Sequence, residues 1–329
     1  MVKTVDIRGV SHAYELTPPT GSSYVLVFIH GWLLSREYWQ PIIEQLASYY
    51  QCLTYDLRGF GDSQPQPLVS VSSIDALEGN QTFGELRQPS LGQGDRTDLV
   101  TIEAFSPASN SLTSNLTPSY SPAAYAQDLV LLMQKLNISN AWLIGHSLGG
   151  SIALWAADQL PEVVRGVICV NSGGGIYLKE EFERFRAAGQ QLVRLRPRWL
   201  CYLPLIDLML TRLNVARPIA RRWGRKRLLD LVMAHPEAAL RTLLDSTTEA
   251  EVHGLPHLIS RLNQPVHFIA GANDTVMEPQ YVRHLASFHP LFQSCGNNVR
   301  EIPNCGHLSM VEQPDAVAEH IREILAQHN

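Results

Sequence analysis

Ala141-Trp142-Leu143-Ile144-Gly145-His146-Ser147-Leu148-Gly149-Gly150 is the stretch on which the fold of this chain turns. Its first four residues form an apolar run of strand length, and from Leu148 to residue 160 apolar positions recur with helical spacing. Residues 145–149 therefore read as a tight turn between a buried strand and a helix. A serine held on such a strained turn projects its hydroxyl into the space above the sheet, and Gly145 and Gly149 flank it because neighbouring backbone comes too close for a Cβ. Gly150 relieves the start of the helix in the same way. His146 and Leu148 fill the two variable positions of the Gly-x-Ser-x-Gly pattern.

A serine hydroxyl is a poor nucleophile at neutral pH and needs a base within hydrogen-bond reach, with a carboxylate that fixes the tautomer of that base. For a serine carried on a strand-to-helix turn of this kind, the acid and then the histidine follow later in the chain. Two strand ends supply them: Gly271-Ala272-Asn273-Asp274 after the apolar run 266–270, and Asn304-Cys305-Gly306-His307 after the run 298–302. Open parallel sheets gather functional groups at the carboxyl ends of their strands, so Ser147, Asp274 and His307 are expected to converge. Asp274 also fits an ordinary Asn-Asp turn. Asp245 and Glu249 are the substitutes, but both belong to a helical insertion. His257, His267, His284 and His289 read as packed or surface histidines.

A tetrahedral intermediate also needs donors for its oxyanion. Leu148 offers the N–H that follows the nucleophile. His30-Gly31-Trp32 follows the apolar run 24–29, so the Trp32 N–H is the second donor and Gly31 permits a close backbone approach. Nothing points to a metal: the five cysteines, Cys52, Cys169, Cys201, Cys295 and Cys305, are odd in number and lack paired short spacing.

Working outward, apolar runs of strand length recur at 24–29, 51–55, 141–144, 166–170, 266–270 and 298–302, alternating with helical periodicity at 36–48, 122–136, 148–160 and 314–327. The alternation predicts an α/β fold with a mostly parallel twisted sheet and helices on both faces. Residues 4–8 and 10–16 read as a leading antiparallel pair. Residues 64–118, rich in Ser, Pro, Gln, Gly and Asn, read as a long polar loop prone to disorder. Residues 176–260 are helical in pattern, with turn punctuation at several prolines, and read as a cap inserted into a core formed by 1–175 and 261–329.

At 329 residues, 45% hydrophobic and 17% charged, the chain has the composition of an ordinary globular protein. A net charge of -5 argues against nucleic acid as a partner. Residues 1–10 lack the apolar core of a secretory signal and no stretch approaches eighteen uninterrupted apolar residues, so a cytoplasmic location is expected. Charge is segregated: residues 176–260 hold 14 Lys and Arg against 9 Asp and Glu, an excess of +5, which leaves -10 on the remainder. The basic cap, with Trp199, Tyr202 and Trp223, suits an anionic substrate or peripheral contact with an anionic membrane, although charge runs are usually a solvated helical face. The oligomeric state is not legible.

His-Gly-Trp at 30–32, Asp56-Leu57-Arg58-Gly59-Phe60-Gly61-Asp62-Ser63 and Gly-His-Ser-x-Gly-Gly at 145–150 together resemble the α/β-hydrolase superfamily, in its serine esterase and lipase-like branch with a helical cap. The resemblance covers 24–63 and 124–175 and resumes from 263. It implies that the Asp56–Ser63 motif is a structural turn, and the long excursion between 63 and 119 departs from the pattern. Serine at 147 disfavours haloalkane dehalogenase and epoxide hydrolase readings, which attack through a carboxylate. The expectation is a serine hydrolase of a small to medium apolar ester that needs no cofactor. Haloperoxidase-like chemistry, a carbon–carbon hydrolase, a menaquinone-pathway-like lyase on an anionic substrate and a non-catalytic ligand receptor are the alternatives.

Overall fold

The computed structural model describes residues 1–65, 119–173, 179–203, 205–295 and 298–328. The segment 64–118 read as a long polar loop lies outside the described residues, apart from 64 and 65.

Eight strands form one sheet in the order β1-β2-β4-β3-β5-β6-β7-β8. They are β1 (Lys3–Ile7), β2 (Val10–Leu16), β3 (Val25–Ile29), β4 (Gln51–Tyr55), β5 (Ala141–His146), β6 (Val164–Val170), β7 (Val266–Gly271) and β8 (Val299–Ile302). β1 and β2 pair antiparallel, β2 runs antiparallel to β4, and every pairing from β4 to β8 is parallel. The inner strands β5 and β7 are buried at every residue, which is what helices on both faces require and why their sequences, apart from His146 and His267, are apolar runs rather than alternations.

The helices are α1 (Gln40–Leu46), α2 (Pro122–Lys135), α3 (Leu148–Gln159), α4 (Lys179–Arg194), α5 (Ile206–Leu210), α6 (Arg221–Met233), α7 (Pro236–Ser246), α8 (Glu249–Arg261), α9 (Pro279–Ala286), α10 (Pro290–Cys295), α11 (Ser309–Glu312) and α12 (Pro314–Ala326). Strand side chains divide between two cores with period two, because successive residues point to opposite faces. Val27, Ile29 and Leu143 pack in the core that holds Leu129 and Leu132 of α2 and Ile152 of α3. Leu26, Phe28 and Ile144 pack in the core that holds Ile42 of α1 and Ile321 of α12.

Five helices, α4 to α8, lie between β6 and β7. They do not share one role. α8 lends Leu255, Leu258 and Ile259 to the core of the sheet and no residue to the cavity beside Ser147, so it extends the helical layer, whereas α4 to α7 each line that cavity and form its roof. The Asp56–Ser63 turn seats that roof. The His235 N–H donates to the Gly59 carbonyl at 2.8 Å, and a Cβ at Gly59, whose φ is +86°, would lie 2.2 Å from the Ala238 Cβ. The turn itself is held by buried Asp56, which accepts the Arg36 N–H at 2.6 Å, the Asp62 N–H at 2.9 Å and a hydrogen bond from the Arg36 guanidinium.

The sheet order reverses between β3 and β5: the chain leaves β3 for β4 on one side and later returns to β5 on the other. Such a switch point opens a crevice beyond the strand ends, and Ile29 of β3 is the register partner of Gly145 of β5 there.

Candidate active site

Ser147 directly follows β5 and occupies the N-cap of α3 with φ 52° and ψ -119°. This is the left-handed half of backbone space, costly for a residue with a Cβ and sustained only when the surroundings fix it. They do so tightly. The Ser147 N–H donates to the Val170 carbonyl at 3.0 Å. A Cβ on Gly145 would lie 2.1 Å from the Gly149 carbonyl oxygen, and one on Gly149 would lie 2.3 Å from that of Ile29. Gly150 is small for a different reason, since a Cβ there would meet the Ser172 hydroxyl at 2.3 Å.

Asp274 and His307 follow β7 and β8. The His307 Nδ1 donates to Asp274 Oδ2 at 2.8 Å, with both residues buried. Burial alone would raise the Asp274 carboxyl, but His307 and the N–H groups of Met277 (2.9 Å) and Val276 (2.8 Å) outweigh it and hold the group below the usual carboxylate range. Asp274 is therefore ionised at neutral pH and fixes the proton of His307 on Nδ1. Nε2 is left as the atom able to take a proton.

The structure brings Asp274 and His307 into one hydrogen bond and places Ser147 and His307 on the wall of one cavity. Among the described residues no hydrogen bond joins Ser147 Oγ to the imidazole. Loose nucleophile–base contacts are common without a ligand. Leu148 is the first residue of α3, so its N–H has no intrahelical acceptor. Trp32 lies on the same cavity wall, within the loop that follows β3. Its indole Nε1 donates to the Ala239 carbonyl at 2.8 Å, which ties that loop to the roof helix α7.

Three contacts around these residues escaped the sequence reading, one of them made by His146, which the pattern already places on the serine turn. Asn171, at the end of β6 with φ 47°, donates its amide to Asp274 Oδ2 at 2.9 Å and accepts the Ser309 hydroxyl at 2.5 Å. A polar residue one step past a buried strand in the same sheet was the available signal. His146 is fully buried, and burial followed by the neighbouring His307 lowers its pKa to about 3, so it is neutral. Its Nε2–H donates to the His307 carbonyl at 2.7 Å, which links the serine turn to the histidine loop. The third is a cap contact: the His307 N–H donates to the Asn214 carbonyl at 2.9 Å. No local pattern announces a bond between residues so far apart in the chain.

The cavity encloses about 270 Å³. Leu33, Phe185, Leu192, Leu231, Leu243 and Met277 contribute to a mainly apolar lining, together with Ser151, Ser246 and Thr247. No carboxylate lines it among the described residues. Arg227 does, held by the carbonyls of Leu210 (2.5 Å) and Leu213 (2.7 Å). Among the described residues no three His, Cys, Asp or Glu side chains gather in a cluster fit for a metal.

The model of the alpha/beta hydrolase family matches residues 26–320. The chain belongs to the alpha/beta hydrolase family. Among curated relatives, this alpha/beta hydrolase is 22% identical over 331 residues to the uncharacterized hydrolase YugF of Bacillus subtilis, covering 98% of this chain and 97% of that protein. It is 26% identical over 305 residues to the 2-succinyl-6-hydroxy-2,4-cyclohexadiene-1-carboxylate synthase of Enterobacter sp. strain 638, covering 91% of each. Among solved structures, a thermophilic esterase from Thermogutta terrifontis superposes with a TM-score of 0.65 at 21% identity, over 100% of this chain and 98% of that one. That last likeness establishes the fold. No described helix is long and apolar enough to cross a membrane.

Proposed function

We propose that the protein is a serine hydrolase that cleaves carboxylic esters of small to medium apolar acids or alcohols through an acyl-serine intermediate. The observation that carries this reading is Ser147, held at φ 52°, sharing an apolar cavity with His307 bonded to Asp274. Ser147 Oγ attacks the ester carbonyl carbon while His307 Nε2 accepts its proton. The N–H groups of Trp32 and Leu148 hold the negative charge that develops on the carbonyl oxygen. As the carbon–oxygen bond breaks, the leaving alkoxide takes the proton from His307. Water then attacks the acyl-serine, gives its proton to His307, and releases the acid as Ser147 recovers the proton. Each step uses groups of the chain and water.

Labelling with a fluorophosphonate probe, followed by turnover of a p-nitrophenyl ester series of increasing acyl length, tests the reading. Labelling and turnover that Ser147→Ala abolishes are expected. A folded wild type that neither labels nor turns over any ester would overturn it.

A second reading, a lyase acting on an anionic substrate, is favoured by Arg227 on the cavity wall and by the similarity to the Enterobacter synthase. It predicts turnover of carboxylated substrates that Arg227→Gln weakens while leaving neutral esters unaffected.

A further inference from the structure

Fourteen large apolar side chains are exposed among the described residues, and nine of them fall between residues 192 and 213. Tyr202 is 85% exposed, Met209 63%, Leu205 62% and Trp199 59%. This is not loose chain. The 3-10 turn Arg198–Tyr202 and α5 pack on α6 through a small buried cluster of Leu210, Leu228 and Val232, with Leu200 and Ile206 against it. Trp199 and Tyr202, three residues apart on that turn, and Leu208 and Met209 on α5 are what remains outside the cluster. An apolar concentration of this kind on a globular surface marks an interaction site.

The charge of the same face decides what it fits. Residues 192–233 contain ten Lys and Arg and only two acids, Asp207 and Asp230. Both acids are buried and spent: Asp207 pairs with Arg221 at 2.8 Å and Asp230 with Lys226 at 3.0 Å. Arg194, Arg198, Arg212, Arg217, Arg222 and Arg225 are exposed. The outer surface of this plate is thus apolar and aromatic with a cationic border, which meets exposed acids, Glu37 and Glu44, on the side of Arg222, Arg225 and Lys226. In a chain of net charge -5, that segregation is a local feature and not the general character of the surface.

We propose that this face docks on an anionic phospholipid bilayer. Aromatic and aliphatic side chains enter the boundary between headgroups and acyl chains, and the arginines bind lipid phosphates. A protein partner of comparable apolar content would need to supply acidic side chains to the same border, and the surface of a second copy offers only this cationic face in an isologous contact, which repels itself. The face is continuous with the site, because Leu192 and Leu213 are both exposed here and part of the cavity lining. Docking therefore brings the cavity mouth to the membrane, whatever reaction the cavity runs.

Sedimentation of the full chain with phosphatidylcholine vesicles, with and without phosphatidylglycerol, tests the proposal. Binding at least tenfold stronger to the phosphatidylglycerol vesicles is expected, weakening as salt is raised. The pair Trp199→Ser with Tyr202→Ser and, separately, Arg222→Gln with Arg225→Gln should each reduce it severalfold at an unchanged melting temperature, and Ser147→Ala should bind as the wild type does. Absence of vesicle binding, or binding that ignores both variant pairs, overturns the proposal. So does light scattering that finds a dimer broken by Trp199→Ser with Tyr202→Ser, which would assign the face to a second copy.

Discussion

Asn171 and His307 converge on one oxygen: Asp274 Oδ2 accepts the Asn171 amide at 2.9 Å and the His307 Nδ1–H at 2.8 Å. The other oxygen, Oδ1, takes the Val276 and Met277 N–H groups, so the carboxylate is held on every side and cannot swing away from the imidazole. Positioning of the proposed base thus depends on β6, β7 and β8 together.

Removing the Asn171 amide should lower kcat by about 10- to 100-fold with little change in KM, since a hydrogen bond to a charged group is worth about 1.5–3 kcal/mol. Asn171→Gly keeps the backbone free to adopt φ 47° while deleting the amide. Ester turnover by that variant at the wild-type rate would show that Asn171 serves the backbone and not Asp274.

Gly31→Ala is expected to disturb the oxyanion loop without touching substrate. A Cβ there would lie 2.8 Å from His146 Nδ1 and 3.2 Å from Ser147 Cβ, so either the loop or the serine turn must shift. Displacements near 1 Å at a site cost up to about 100-fold in rate. Steady-state kinetics on a short ester should show the loss in kcat, and an unchanged kcat would place the donors elsewhere.

Asp230 links stability to pH. It lies at the seam between α6 and the core, accepting from the Ser35 hydroxyl at 3.1 Å and pairing with Lys226. Burial pushes its carboxyl up to about 6, against the opposing pull of Lys226. A folded-state value raised above the unfolded one means that the native state binds the extra proton, so this contribution is fully present below about pH 4 and lost as pH rises through about 6. The full change is on the order of 1–3 kcal/mol. Thermal unfolding from pH 4 to 7 should fall more steeply for the wild type than for Asp230→Asn; parallel curves would refute the assignment.

Gly59→Ala should unseat the roof. The residue has φ +86° and its Cβ would overlap that of Ala238 at 2.2 Å, so overpacking of about 1–3 kcal/mol adds to backbone strain. A lower melting temperature and a raised KM for longer esters are expected. A melting temperature equal to the wild type would show that α7 yields freely at this contact.

The fold was legible because it rests on local pattern. The runs 25–29 and 141–144 are apolar without interruption, the composition that a strand covered on both faces favours. The turn at Ser147 was legible because only glycine fits where backbone passes 2.1 Å from a Cβ position at Gly145 and 2.3 Å from one at Gly149. Asp274 and His307 could be named from their places at strand ends, and the bond between them is observed.

What tertiary structure decided is whatever depends on which distant surfaces meet. The helical stretch 176–260 gave no sign that α8 would join the core while α4 to α7 formed the roof, since an amphipathic helix of either kind has the same periodicity. The hold of Asn171 on Asp274 and of Asn214 on His307 joins residues more than ninety positions apart, the first through a side-chain amide and the second through backbone groups that nearly every residue carries. The sequence by itself determined the strands, the helical stretches 36–48, 122–136, 148–160 and 314–327, the order of the chemistry-bearing residues and the excess of positive charge in the insertion, because each is written in nearest-neighbour pattern or composition. Only the folded chain buries Asp207 and Asp230 and turns Trp199 and Tyr202 outward, because exposure is a property of packing and not of residue type.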